Sequence, residues 1–206
     1  MEVKRLDSLV ITKLANFAWL TGGRGFISLA SEASCGILIV NRKAVVLVAS
    51  NIEAERLKAE EGCHGMTLLP YPWHEPARRD ALVRSAAGDN SQDDLALAED
   101  FMDLRTCLDD AGITDYTWVG AQTARILEET MTGLVPGCAE FSLAGILSRH
   151  FWDCGIEPVT LLIAFDERIQ QWHHPLPTSS RLKTRALASV CVRYHGLFVS
   201  ASRMVN

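Results

Sequence analysis

Apolar residues in the first half of the chain fall in short blocks between polar breaks. Ser34–Val40 (SCGILIV) and Ala44–Ala49 (AVVLVA) are nearly unbroken apolar runs divided by Asn41-Arg42-Lys43. Runs of that length around a short polar break predict a hairpin whose strands are covered on both faces. Asn16–Leu20 (NFAWL) predicts an earlier strand, and Thr67–Leu69 and Tyr116–Val119 predict two more. Between them lie helical patterns. Asn51 is placed to cap a helix reaching Glu61, with Glu53 in its first turn and Gly62 as its stop. Ala77–Ala87 and Ala121–Thr130 predict further helices. Leu95–Ala111 sets Leu97, Phe101, Leu104 and Leu108 on one face and ends at Gly112. Pro70, Pro72 and Pro76 exclude regular helix around YPWHEP, and Gly88–Asp94 reads as an exposed polar loop.

The pattern restarts after Val135-Pro136-Gly137, a segment suited to a domain boundary. Phe141–Cys154 predicts a helix with Leu143, Ile146, Leu147 and Phe151 on its apolar side, stopped by Gly155. Val159–Phe165 predicts a strand, His173–Ser180 a proline-containing loop, and Leu187–Tyr194 with Leu197–Ser202 two strands turning at His195-Gly196. The expected organisation is a three-layer α/β domain over residues 1–134, followed over 135–206 by a second pattern of one helix and three strands.

Composition narrows the functional classes. The chain has 206 residues, 48% hydrophobic and 22% charged, which is ordinary for a globular protein. A net charge of -5 gives no basic footprint for nucleic acid. No apolar run is long enough to span a membrane. The N-terminus lacks the apolar stretch of a signal peptide, so the expected location is the cytoplasm. Six cysteines, none in a C-x-x-C pair, are expected to be reduced and mostly buried.

Several groups carry possible chemistry. Thr21–Phe26 is a glycine-rich loop, but it lacks the Lys-Ser/Thr of a phosphate-binding loop, so it reads as a turn. Arg24 within it is a surface arginine or a carboxylate ligand. His150 and Cys154 share a helix face at a spacing compatible with metal, without two further ligands. No Gly-x-Ser-x-Gly elbow supports Ser-His-Asp chemistry. His173 and His174, followed by Pro175, stand out because a proline-fixed loop can present an imidazole to a cleft as a proton donor or acceptor.

These segments resemble the creatinase / Xaa-Pro aminopeptidase / prolidase family, whose catalytic half has the pita-bread fold. Asn16–Gly22 is similar to its opening strand and turn, and Asn51–Leu57 to the helix after its buried hairpin. Pro136–Leu147, with Glu140, resembles the linker and first helix of the catalytic half. His174–Thr178 resembles the loop carrying a substrate-facing histidine. Gly196–Arg203 resembles the strand that bears a metal-binding aspartate shortly before an arginine. The resemblance implies a creatinase/prolidase-like N-terminal domain followed by an incomplete α+β pita-bread domain, frequent homodimers, and peptide or amidino C–N bonds as substrates. In peptidase members it implies a pair of divalent metals activating a water.

The departures lie at the metal. The positions matching the two aspartates are Ser189 and Ser200, and neutral serine is a poor replacement for a carboxylate holding a divalent cation. The family's later ligands, a histidine and two glutamates, would follow Asn206. No cofactor is therefore expected for this chain. Creatinase is a metal-free member, so the resemblance does not tie catalysis to metal. The resemblance implies His174 as the proton-transferring residue, with His173 as its alternate and Arg203 in support. The expectation is a chain inactive alone. Its alternative is a dimerisation or regulatory module that pairs with itself or with a full-length relative.

Overall fold

In the computed structural model, which describes Met1 and Lys4–Asn206, the β-branched segment SLVITK forms strand β1 (Ser8–Lys13). The chain turns directly into helix α1 (Leu14–Thr21), so the expected strand over Asn16–Leu20 is helical. Five apolar residues do not distinguish a strand from a buried helical turn. A remote carboxylate settles it. Buried Asp94 accepts hydrogen bonds from the Thr12 N–H (3.1 Å), the Lys13 N–H (2.8 Å), the Thr12 hydroxyl (2.8 Å) and the Asn16 amide (2.9 Å). It satisfies amide donors at the start of α1 and places a negative charge at the helix's positive end.

Strands β2 (Ala33–Asn41) and β3 (Val45–Ser50) form the expected hairpin. Helix α2 (Ala54–Glu60) follows, with Glu53 rather than Asn51 as its N-cap. Strand β4 (Thr67–Tyr71) pairs parallel with β3 and carries Pro70 on a sheet edge, where its missing N–H is tolerated. Helix α3 (Pro76–Ala87) starts on Pro76. The expected loop after it contains a short strand, β5 (Ser91–Asp93), parallel to β1. Helix α4 (Ala98–Thr106) buries Leu97 and Phe101 at its start, whereas Leu104 and Leu108 are exposed, so it is shorter than the predicted 95–111 helix.

These elements make a five-stranded sheet in the order β4-β3-β2-β1-β5. Alternation along the strands sends Ile11, Leu38 and Leu47 to one side, with Phe17, Leu57 and Phe101 from the helices. Val10, Ile39 and Val48 go to the other side, against Leu82 and Val83 of α3. This is the expected three-layer α/β arrangement, within the unit Met1–Leu108.

The second unit is Asp109–Asn206. Helix α5 (Asp110–Thr132) absorbs both the expected strand over Tyr116–Val119 and the helix over Ala121–Thr130. Gly112 is not a helix stop. Its N–H is taken by the Asp109 side chain at 2.7 Å, which marks a helix start. Val119, Ile126, Leu127 and Met131 of α5 pack with Leu143, Leu147 and Phe151 of helix α6 (Glu140–Asp153). The units therefore part at Leu108/Asp109, ahead of the Val135–Gly137 break expected from the sequence, because that break separates two helices of one core. Strand β6 (Glu157–Phe165), the short helix α7 (Arg168–Gln171), and strands β7 (Ala186–Tyr194) and β8 (Leu197–Val205) complete an antiparallel sheet in the order β6-β7-β8. Ala186, Ala188, Val190 and Val192 point into the core beneath α5 and α6.

Replacing Asp94→Ala strands buried donors of β1 and α1 together and is expected to cost about 2–3 kcal/mol, read from urea unfolding of the chain.

Candidate functional site

The β7–β8 hairpin decides what the second sheet can offer. Ser189 pairs with Ser202, and Cys191 with Ser200. Opposed residues of an antiparallel pair share a face, and so do residues two apart along a strand. Ser189, Cys191, Ser200 and Ser202 therefore lie together on the face opposite the core. Leu162 of β6 pairs with Ser189 and joins them. The Ser189 and Ser202 hydroxyls are hydrogen-bonded to each other.

Ser189 and Ser200 share this face, and Arg203 does not join them. Arg203 pairs with Ala188, an inward-facing residue, so it lies on the helix-covered side of β8. Its guanidinium donates to the Ser202 carbonyl at 2.9 Å. An odd spacing along a strand reverses the face, so Arg203 cannot act beside Ser200 on one surface.

The serine face does not suit a divalent cation. Its donors are neutral hydroxyls and a thiol, and the carboxylate that shares the face, Glu157, is ion-paired to Arg193 with a 2.7 Å bond to the guanidinium Nε. Among the described residues no group of three or more His, Cys, Asp or Glu side chains converges as a metal site would require. Hard divalent cations need several oxygen ligands, carboxylates foremost.

The histidine loop lies at the other edge of the sheet. Its Pro175 carbonyl accepts from the Ile163 N–H of β6 at 2.8 Å, so β6 stands between the loop and the serines. His173 and His174 are both exposed, with rings edge to face at 4.5 Å. The loop is firmly held by Glu140, a residue for which no role was legible in the sequence. Its fully buried carboxylate accepts from the Phe165 N–H (2.9 Å), the Thr178 N–H (2.8 Å) and the Thr178 hydroxyl (2.7 Å), and it is ion-paired to Arg168. The structure thus presents two imidazoles on a fixed loop without bringing Ser189, Ser200 or Arg203 to them.

Asp166 fixes the approach to β7. It sits at φ 50° and accepts from the amides of Lys183, Thr184 and Arg185 at 2.9–3.0 Å. Burial pushes its pKa upward, but the Thr184, Arg185 and Lys183 amides and the Thr184 hydroxyl outweigh it and hold the carboxyl at about 2.

The remaining sequence candidates have structural roles. The Thr21–Phe26 loop wraps the buried Glu61 carboxylate, which takes the Arg24 N–H at 2.6 Å and pairs with Arg56 at 2.9 Å. A Cβ on Gly23 would stand 2.2 Å from the Glu61 carbonyl oxygen, and one on Gly62 2.0 Å from that of Thr21, so both glycines serve close backbone approach. Burial, with Glu61 and then Cys35 nearby, pushes the Cys63 thiol up to about 11, which leaves it inert. His150 meets the Thr130 hydroxyl at 3.1 Å, and Cys154 packs against the core. None of the six cysteines forms a disulfide, but fewer are buried than the sequence suggests: Cys63 is buried, Cys107 is exposed, and Cys35, Cys138, Cys154 and Cys191 are half-buried. No helix among the described residues is long and apolar enough to cross a membrane.

Two measurements follow from these anchors. Glu140→Ala leaves Arg168 without its buried partner and is expected to cost about 3 kcal/mol and speed proteolysis within 172–180. Because its folded pKa is depressed, the stability that Asp166 contributes is complete above about 3.8 and is lost as pH falls through about 2. Asp166→Asn should flatten the acid limb of a pH-stability profile in that window and leave its neutral region parallel.

Comparison with known structures agrees with this architecture. The prolidase from Pyrococcus furiosus superposes with a TM-score of 0.70 at 14% identity, over 100% of this chain and 67% of that one. The prolidase from Pyrococcus horikoshii gives 0.73 at 14%, over 99% and 61%. The X-Pro aminopeptidase from Thermotoga maritima gives 0.73 at 13%, over 99% and 62%. At these identities the likeness is one of fold, and this chain spans 61–67% of the length of those proteins. No curated protein matches the chain. The family model for the creatinase/prolidase N-terminal domain matches residues 1–109, which takes in the whole first unit. With that match over a three-layer α/β unit, the chain belongs to the creatinase/prolidase N-terminal domain family.

Proposed function

We propose that this chain is a metal-independent member of the creatinase/prolidase fold, and that the open face of its second sheet serves binding and association rather than metal-activated hydrolysis. One observation carries the reading. Ser189 and Ser200 share a face, and the Ser189 hydroxyl is satisfied by that of Ser202. A cation there would meet neutral oxygens already engaged with one another, with no charge to offset its dehydration. Titration calorimetry with Mn²⁺ and Co²⁺ is expected to show no stoichiometric binding, and a micromolar site would overturn the reading. The prolidase and X-Pro aminopeptidase neighbours point to peptides containing proline as the ligand class to try first.

A second reading, metal-free proton transfer by His174, is favoured by the rigid presentation of its loop. The loop is tied to β6 through Pro175 and to Glu140 through Thr178. An imidazole fixed this way can act as an acid or base near neutral pH. If the chain turns over a prolyl dipeptide, His174→Ala should abolish it and His173→Ala should not. Unchanged turnover in His174→Ala removes this reading.

A further inference from the structure

The β7–β8 turn is fastened to helix α5 by a cluster that neither reading above uses. His195 Nδ1 donates to Asp115 Oδ2 of α5 at 2.8 Å. The imidazole stacks on the Tyr194 ring, with centroids 3.9 Å apart and planes 25° from parallel. Tyr194 in turn meets Trp118 of α5 at 4.7 Å. Trp118, Tyr194 and His195 therefore form a continuous stack, and Asp115 closes it one helical turn before Trp118. Tyr194 registers the same neighbourhood: burial, and after it the Asp115 charge, push its hydroxyl above the usual range.

The backbone of the turn depends on these contacts. His195 sits at φ 47° and Gly196 at 80°. The left-handed region is costly for a residue with a Cβ, so the conformation of His195 leans on what its ring touches.

The bond to Asp115 does not by itself require charge, because a neutral imidazole can donate from Nδ1. A protonated ring gains twice over. Its bond to the carboxylate becomes charge-assisted at both ends, and its stack on Tyr194 sets a cation against the face of an aromatic ring. The surroundings leave that gain unopposed. Asp115 on α5 and Tyr194 on β7 are the titratable groups that meet the ring. From Ala111 to Val119, Asp115 is the one charged residue of α5, and Asp109 and Asp110 before it carry the same sign. On β7, Arg193 is turned to the opposite face, where it pairs with Glu157. The start of β8, Leu197–Val199, is uncharged.

We propose that this turn is an acid-tightened clasp: protonation of His195 draws the β7–β8 tip onto α5, and deprotonation loosens it. The added stability is present in mild acid and is lost as pH rises through the range in which histidine discharges. β7 and β8 also carry the serine face, so a clasp at their turn acts on the strands that bear it. The proposal goes beyond the readings above and holds whether or not that face binds a ligand.

Hydrogen exchange of the wild-type chain tests it. Protection factors of the amides over 194–197 are compared with those of Ile126 and Leu127 in the core beneath α5. Relative to these, tip protection is expected to be about threefold higher at about pH 5.5 than at about pH 8, the size that an exposed ion pair gives. Asp115→Asn keeps the shape and a hydrogen-bond acceptor but removes the charge, and is expected to abolish the difference. His195→Asn, which tolerates the same backbone conformation, is expected to do the same. Tip protection that is independent of pH in the wild type overturns the proposal, and so does a difference that survives in Asp115→Asn. Should Asp115→Asn not fold, about 1 M NaCl in the wild type decides, since screening at that strength shrinks an ion pair's contribution. A difference indifferent to that salt overturns the proposal as well.

Discussion

A carboxylate can be buried at the start of a helix only where cations and amide donors replace the water it loses. Glu140 meets that condition with four donors drawn from three places: Phe165 at the end of β6, Arg168 of α7, and the amide and hydroxyl of Thr178 in the histidine loop. α6, the end of β6 and the loop cannot shift independently without breaking one of these bonds. The position of His173 and His174 and the cover over the free edge of β6 both descend from this charge. Asp166 repeats the device nearby, using backbone amides to fix the lead into β7.

The first unit uses the same physics. Asp94 joins β1 to α1, and Glu61 joins the glycine-rich loop to α2 through Arg24 and Arg56. In each case an acidic side chain distant in sequence satisfies backbone donors that the local chain leaves open. The sequence draws attention to glycines and histidines, whereas the folded chain is organised around buried acids.

That contrast explains what could be read beforehand. The β2–β3 hairpin, α3, α6 and the β7–β8 turn were legible, because their apolar runs are bounded by turn residues whose effect is local. α1 was not, since its helical state rests on Asp94, far along the chain. α5 was split because Gly112 reads as a helix stop and Tyr116–Val119 as a strand, although packing of Val119, Ile126 and Leu127 holds one helix through both. The resemblance to the creatinase/prolidase family and its three-layer first domain held. Of the candidate site, the shared face of Ser189 and Ser200 was implied by their strands. The separation of Arg203 from them follows from parity along β8, which a motif read as a string conceals.

Since α5 and α6 cover only one side of the second sheet, the two sides carry different obligations. Ala186, Ala188, Val190 and Val192 are bound by the volume of the core. Ser189, Cys191, Ser200 and Ser202 are bound by almost nothing in the fold. Those four, unlike the buried Glu157–Arg193 pair on the same side, can be exchanged without disturbing the packing beneath them. A lineage with this architecture can therefore abandon one surface chemistry and acquire another by substitutions on alternate positions of two strands, keeping its scaffold intact.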